Sequence, residues 1–390
     1  MTPNSLFDNT EIAFKLKNDS QLERAYFLFK MIANEPLVRI GTAVTKFALN
    51  VHLPVEGLIR STVFDHFCGG VSEGDCMPVA DSLYEAGVYS VLDYSVEGKE
   101  EEAQFDATMK KVITLTNFAE KKPAMPFSVF KPTGFGRFEI WRKITENEPL
   151  TTEEEEEWQR IVTRYDKVCK IAHDSDIALL IDAEETWMQD AADDLCERMM
   201  EIYNKETPIV FNTLQCYRWD RLDYLKNAHQ RAKDKGYKLG FKVVRGAYME
   251  KENERAAEKG HASPICESKS ATDDNFNTVM QYILDNLDDI SLFLGTHNEA
   301  SSYLAMEIME AKGYLKNDPR IWFGQLYGMS DHISYNLANA GYNVAKYIPF
   351  GPVKDVMPYL IRRAEENTSV AGQTSRELSL LKKEKERRGI

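Results

Sequence analysis

From about residue 86 the chain alternates short β-branched or apolar runs with long amphipathic segments. The runs Val88–Tyr94, Phe127–Lys131, Ala178–Ala183, Ile209–Gln215, Leu239–Arg245, Ser291–Gly295, Ile321–Gln325 and Val344–Ile348 predict strands. Between them Thr152–His173, Asp223–Lys235 and Glu299–Lys312 predict helices. About eight such βα units predict an α/β fold, a closed parallel (β/α)8 barrel. The acidic run Glu153–Glu157 suits the positive end of the first of these helices. Residues 1–85 read as a helical arm or subdomain, broken at Pro36, Pro54 and Gly69-Gly70. The barrel then takes 86–367, and 368–390 form a charged tail whose pattern predicts a solvated helix.

Chemistry gathers where the strands end. Asp93 and Glu97 close the first and Lys131 the second; Asp182, Glu184 and Glu185 follow the third, Gln215 and Tyr217 the fourth. Arg245 and Tyr248 follow the fifth, Thr296, His297 and Asn298 the sixth, Gln325 and Tyr327 the seventh, and Tyr347 the eighth. In a parallel barrel these ends converge on the face where active sites are built. Carboxylates, cations and a histidine in succession there point to a site.

The segment VMPYLIRRAEEN places Tyr359, Arg362, Arg363 and Glu366 at i, i+3, i+4 and i+7, on one helical face, with Pro358 beginning or kinking the helix. The two guanidiniums fit a solvated stripe or a carboxylate clamp, because arginine offers a rigid bidentate fork. If the pair is buried it needs counter-charges, and Asp93 and Glu97 are available; the clamp is then the preferable reading.

Composition narrows the class. The chain has 390 residues, 43% of them apolar, enough for a large core; length alone suggests about two to three domains, although one barrel absorbs roughly 250 residues. A net charge of −14 disfavours nucleic-acid binding through the phosphate backbone. Six cysteines without a C-x-x-C pair suit a reducing compartment and supply no metal framework. No apolar run approaches the ~20 residues that span a bilayer. The start lacks an apolar h-region, and its acidic residues argue against a transit peptide, so a cytoplasmic location is expected. Gly134 and Gly136 form G-x-G, but Glu139 occupies the third glycine position and the dinucleotide fingerprint fails. His173 and His229 lie on helical stretches and read as ordinary core or surface residues.

The strings LLIDAEET, VVRGAYM, GTHN, FGQLYGM and YIPFGPVKDVMPYLIRRAEEN, in this order, resemble the proline dehydrogenase family. The resemblance covers roughly residues 86–370 and is to the stand-alone enzyme, not the bifunctional proline utilization A type. It implies a distorted barrel that binds FAD, oxidises L-proline to Δ1-pyrroline-5-carboxylate and passes electrons to membrane quinone, as the first step of proline catabolism to glutamate. It implies a peripheral visit to the inner face of the membrane, for which the basic tail is the candidate. Position by position, Arg362, Arg363 and Lys131 would bind the substrate carboxylate, with Glu97 and Asp93 holding the guanidiniums. Tyr359 and Leu326 would pack on the pyrrolidine ring, and Tyr347, braced by Asp182, would bound the pocket. Ala183, Gln215, Lys242, Arg245, Gly246, Ala247, Thr296 and His297 match flavin-contacting positions, with Glu366 near them. Lys242 stands where many bacterial members carry Arg, which keeps a point charge and loses the planar fork.

Competing readings start from the same residues. One is the same chemistry on 4-hydroxyproline, which the bulk of Tyr347 opposes. Another is a flavin-free lyase using Lys131 or Lys242 as a Schiff-base amine. A third is a binding protein without turnover, against which the intact Arg362, Arg363 and Tyr359 speak.

Overall fold

The computed structural model describes residues 3–34, 36, 38, 41, 56–95, 100–369 and 373–390. Glu97 lies outside the described residues, as does the side chain of Glu366. Among the described residues, eight strands follow one another in chain order around a closed barrel: β1 (Tyr89–Tyr94), β2 (Phe127–Phe130), β3 (Ala178–Ile181), β4 (Val210–Gln215), β5 (Leu239–Val244), β6 (Ile290–Gly295), β7 (Ile321–Leu326) and β8 (Val344–Phe350). The longer helices are α1 (Asp19–Ile32), α2 (Glu73–Glu85), α3 (Glu102–Ala119), α4 (Phe138–Thr145), α5 (Thr152–Asp174), α6 (Thr186–Tyr203) and α7 (Arg221–Lys235). They continue with α8 (Met249–Lys259), α9 (Lys269–Asp285), α10 (Glu299–Ala311), α11 (Asp331–Asn339), α12 (Val353–Ser369) and α13 (Gln373–Arg388). This is the α/β barrel expected, with every strand within two residues of its predicted limits.

The chain divides into two compact units. One comprises Gly98–Thr296 and Ala300–Phe323. In it β2 to β6 pair consecutively and in parallel, with Val129 opposite Leu180 and Leu214 opposite Val243. Strand β4 is buried along its whole length, its polar Asn212, Thr213 and Gln215 included, and each of these makes hydrogen bonds within the unit. Phe127 sits edge-on to Phe211, Phe293 and Trp322 at 6.4, 5.1 and 4.9 Å between ring centroids. Each such pair contributes about 0.5–1.5 kcal/mol beyond area burial. The acidic run at the start of α5 has a structural use. Thr151 and Glu154 form a capping box, Glu154 pairs with Lys143 at 2.7 Å, and Glu157 pairs with Arg137 at 2.7 Å.

The other unit comprises Met1–Glu97, His297–Glu299 and Gly324–Ile390. Here β1 pairs with β8, setting Val91 opposite Tyr347 and Asp93 opposite Pro349. Helix α1 starts at an Asn18–Gln21 capping box and buries Leu22, Ala25, Leu28, Phe29 and Ile32 along one stripe. Leu380 and Leu381 of α13 pack with Leu22, Ala25 and Phe29, so the tail is not the wholly solvated helix its charges suggested. Arg388 donates to the carbonyls of Lys17 and Phe14 at 2.7 and 3.0 Å, and Lys383 donates to that of Asp8 at 2.8 Å. Pro358 does not begin α12: it lies inside, five residues after Val353, and lacks the N–H that would bond the Lys354 carbonyl.

Candidate active site

The residues matched to substrate binding fall mostly in the unit that holds β8 and α12. Tyr359 and Arg363 are one helical turn apart on α12, and both are buried. The Arg363 guanidinium carbon lies 5.2 Å from the centroid of the Tyr359 ring, within cation–π range. Arg362, one residue before, is half-buried. Tyr359 packs in an apolar cluster with Phe64, Phe67, Met329, Val356 and Leu360, against which Leu326 rests. Tyr347 is buried on β8, and its carbonyl accepts the Tyr327 N–H at 2.8 Å. Asp93, near the end of β1, accepts the Ser95 hydroxyl at 2.8 Å. His297 follows β6, and its Nδ1 is 2.9 Å from the Ser330 hydroxyl.

The other unit carries Lys131 and most of the positions matched to the flavin. Strand alternation and consecutive pairing bring β3, β4 and β5 side by side, so residues at their ends meet. Lys242 on β5 is buried, and its ammonium forms an ion pair and hydrogen bond with Asp182 after β3. Gln215 at the end of β4 donates to the carbonyl of Glu184 at 2.7 Å. Ala183 lies between Asp182 and Glu184. Arg245 is held on three sides: its Nε donates to Asp273 at 2.8 Å, Nη1 to the Thr296 hydroxyl at 2.9 Å and Nη2 to the Ser301 hydroxyl at 3.1 Å. Its guanidinium carbon lies 4.3 Å from the centroid of Phe276. Gly246, beside Ala247, has φ of +126°, and a Cβ there would stand 2.6 Å from the Tyr217 ring. Only glycine fits, because the φ is left-handed and the Tyr217 ring fills the space a Cβ would take.

Glu184, just after β3, is the most perturbed carboxylate of this group. Burial pushes it up to about 7, partly offset by the charge of Lys131 and by hydrogen bonds at 2.9 Å from the Thr133 amide and hydroxyl. The only sequence signal was its place after an apolar strand. Asp273, which orients Arg245, gave none, because it sits inside α9, 28 residues away. Among the described residues no group of His, Cys, Asp and Glu could hold a metal ion, and no helix is long and apolar enough to cross a membrane.

A closed parallel barrel with buried cations, carboxylates and aromatic rings following its strands defines a barrel enzyme. The chain belongs to the proline dehydrogenase family, whose profile matches residues 76–376. It is 36% identical over 363 residues to the carbapenem antibiotics biosynthesis protein CarD of Pectobacterium carotovorum subsp. carotovorum, covering 92% of this chain and 94% of that protein. It is 33% identical over 418 residues to mitochondrial proline dehydrogenase 1 of Arabidopsis thaliana, covering 95% of this chain and 84% of that protein. The crystal structure of proline utilization A from Bdellovibrio bacteriovorus superposes with a TM-score of 0.71 at 19% identity, over 92% of this chain and 38% of that one, which shows the shared fold.

Proposed function

We propose that the chain oxidises L-proline to Δ1-pyrroline-5-carboxylate, with FAD as hydride acceptor and a membrane quinone as the final electron acceptor. The observation that carries this reading is the buried Arg363 guanidinium in cation–π contact with Tyr359, with Arg362 beside it. Such a fork is pre-oriented for a carboxylate, and Leu326 and the Tyr359 ring supply an apolar wall for a small ring.

The residues present fit FAD. The Arg245 guanidinium, fixed by Asp273, Thr296 and Ser301, offers a cation to an anionic group, with Ala183 and Gln215 at the ends of nearby strands in the same unit. When bound, FAD would supply a two-electron acceptor for the hydride leaving the ring carbon next to nitrogen. Arg362 and Arg363 hold the substrate carboxylate, with Asp93 as a counter-charge. Tyr347 closes the far edge of the pocket. Positioning of this kind is the main work that hydride transfer asks of a protein. The Lys242 ammonium, paired with Asp182, would offer positive charge to a reduced ring bound beside it. The cationic pocket favours the neutral substrate amine, which alone can push the hydride off.

An anaerobic visible spectrum with and without L-proline tests the proposal. Flavin bands that bleach on addition are expected. A colourless protein after reconstitution with FAD would reject it and promote the lysine-based lyase. Against that lyase, Lys242 is engaged by Asp182 and would have to leave the pair to act as a nucleophile.

The reading carries a place as well. A cytoplasmic enzyme visiting the inner face of the membrane would reach its quinone, and its product would enter catabolism to glutamate. The likeness to CarD favours a second setting, in which the same product is drawn into synthesis. The tail is a weaker membrane candidate than its charge suggests, because Arg376, Lys383 and Arg388 are engaged within the chain.

A further inference from the structure

The turn from β7 into α11, residues Leu326 to Ser330, is held by donors from two directions. Lys346 is fully buried on β8, and strand alternation sends its side chain to the face opposite that of Tyr347. Its ammonium donates to the carbonyl of Met329 at 2.7 Å and reaches that of Leu326 at 3.4 Å, while pairing with Asp331 at 2.9 Å. His66 donates from Nε2 to the carbonyl of Gly328 at 2.9 Å. Burial lowers His66 to about 3, so this ring stays neutral across the physiological range. The turn also depends on close approach, since a Cβ at Gly328 would stand 2.2 Å from the His66 carbonyl oxygen. Ser330 sits in the left-handed region at φ +51°, and its hydroxyl meets Nδ1 of His297 at 2.9 Å.

Two site residues therefore depend on one turn. Leu326 stands at its start, and Ser330, which orients His297, stands at its end. We propose that Lys346 is a positioning residue, whose ammonium gathers the carbonyls of this turn and so sets Leu326 against the substrate and His297 against the flavin. The assignment of Leu326 and His297 rests on the function proposed above. Asp331 keeps the buried ammonium compensated, and its other oxygen pairs with Lys17 at 2.8 Å. That second pair supplies a control: Lys17 shares the counter-ion, and among the described residues its ammonium makes no hydrogen bond to the turn's carbonyls.

The test compares Lys346→Met with Lys17→Met in the full chain. Lys346→Met is expected to raise KM for proline about tenfold, the scale of one lost hydrogen bond to a charged group, with kcat within about twofold. It should also release FAD more readily on dilution and speed hydrogen exchange at the amides of Tyr327 and Met329. Lys346→Gln, whose amide can still donate to one carbonyl, should recover part of each effect, and it carries the comparison if the methionine variant does not fold. Lys17→Met is expected to lower thermal stability while leaving KM and those amides within about twofold of the parent. The assignment is overturned if the Lys346 variants lose stability but keep the parent KM and exchange rates, or if Lys17→Met raises KM equally. A parent protein that neither retains FAD nor bleaches with proline would refute the functional reading instead. The exchange comparison needs no ligand and would still decide whether Lys346 holds the turn.

Discussion

His332 is expected to make the protein lose stability on the alkaline side. The imidazole is buried on α11, with Nε2 3.0 Å from Glu299 and Nδ1 3.5 Å from Glu377. Arg376 also pairs with Glu299, at 2.7 Å, and the ring of Phe7 packs edge-on against the imidazole. Burial alone would lower the imidazole, but the two carboxylates outweigh it and raise it from 6.5 to about 9. A group raised in the folded state stabilises fully below its unfolded value and loses that contribution as pH rises through the folded one. The window is therefore pH 6.5 to 9, and at ~1.4 kcal/mol per pH unit the contribution is roughly 3 kcal/mol. Above it, Glu377 loses the imidazolium charge, and Glu299 keeps Arg376. Urea unfolding of the parent and of His332→Gln at pH 6, 7.5 and 9.5 would measure the difference, with the imidazole titration followed directly by NMR on labelled histidine. The parent should fall by about 3 kcal/mol relative to the variant between the first and last pH. Parallel stability curves, or an imidazole titrating at or below 6.5, would refute the argument.

Further expectations concern the proposed chemistry. Replacing Arg363 by Met removes a hydrogen-bonded charge worth about 1.5–3 kcal/mol, so KM for proline should rise roughly 10- to 150-fold at unchanged flavin content; a normal KM would remove the clamp. Tyr347→Ser should improve hydroxyproline oxidation relative to proline, and an unchanged ratio of kcat/KM values would count against Tyr347 as the gate. Gly246→Ala forces a Cβ to 2.6 Å from the Tyr217 ring at a φ of +126°, and should cost about 1–3 kcal/mol and lower the flavin-to-protein ratio. A parent-like ratio would show that glycine is not needed there.

How legible this was from sequence depended on whether the signal was local. The strands announced themselves because a barrel buries them on both faces, leaving uninterrupted apolar runs such as Ala178 to Ile181. Capping boxes at Asn18 and Thr151 are likewise written in a few adjacent residues. The doubled arginine was legible through helical spacing, which put Tyr359 and Arg363 one turn apart before any fold was known. The tail misled because charge reports solvation only on average. Leu380 and Leu381 make one side of α13 apolar, and the cations around them find partners more than 350 residues away.

The sequence by itself determined the architecture, the family and the helical face that carries the arginines, since each depends on periodicity or on residues close along the chain. Only the tertiary structure decided which groups are paired and buried. Asp182 meets Lys242 across 60 residues, Asp273 steers Arg245 from inside another helix, and Lys17 shares Asp331 with Lys346. Ion pairs of this kind act through space within a few ångströms and leave no period in the chain, so residue order does not encode them until the backbone has folded.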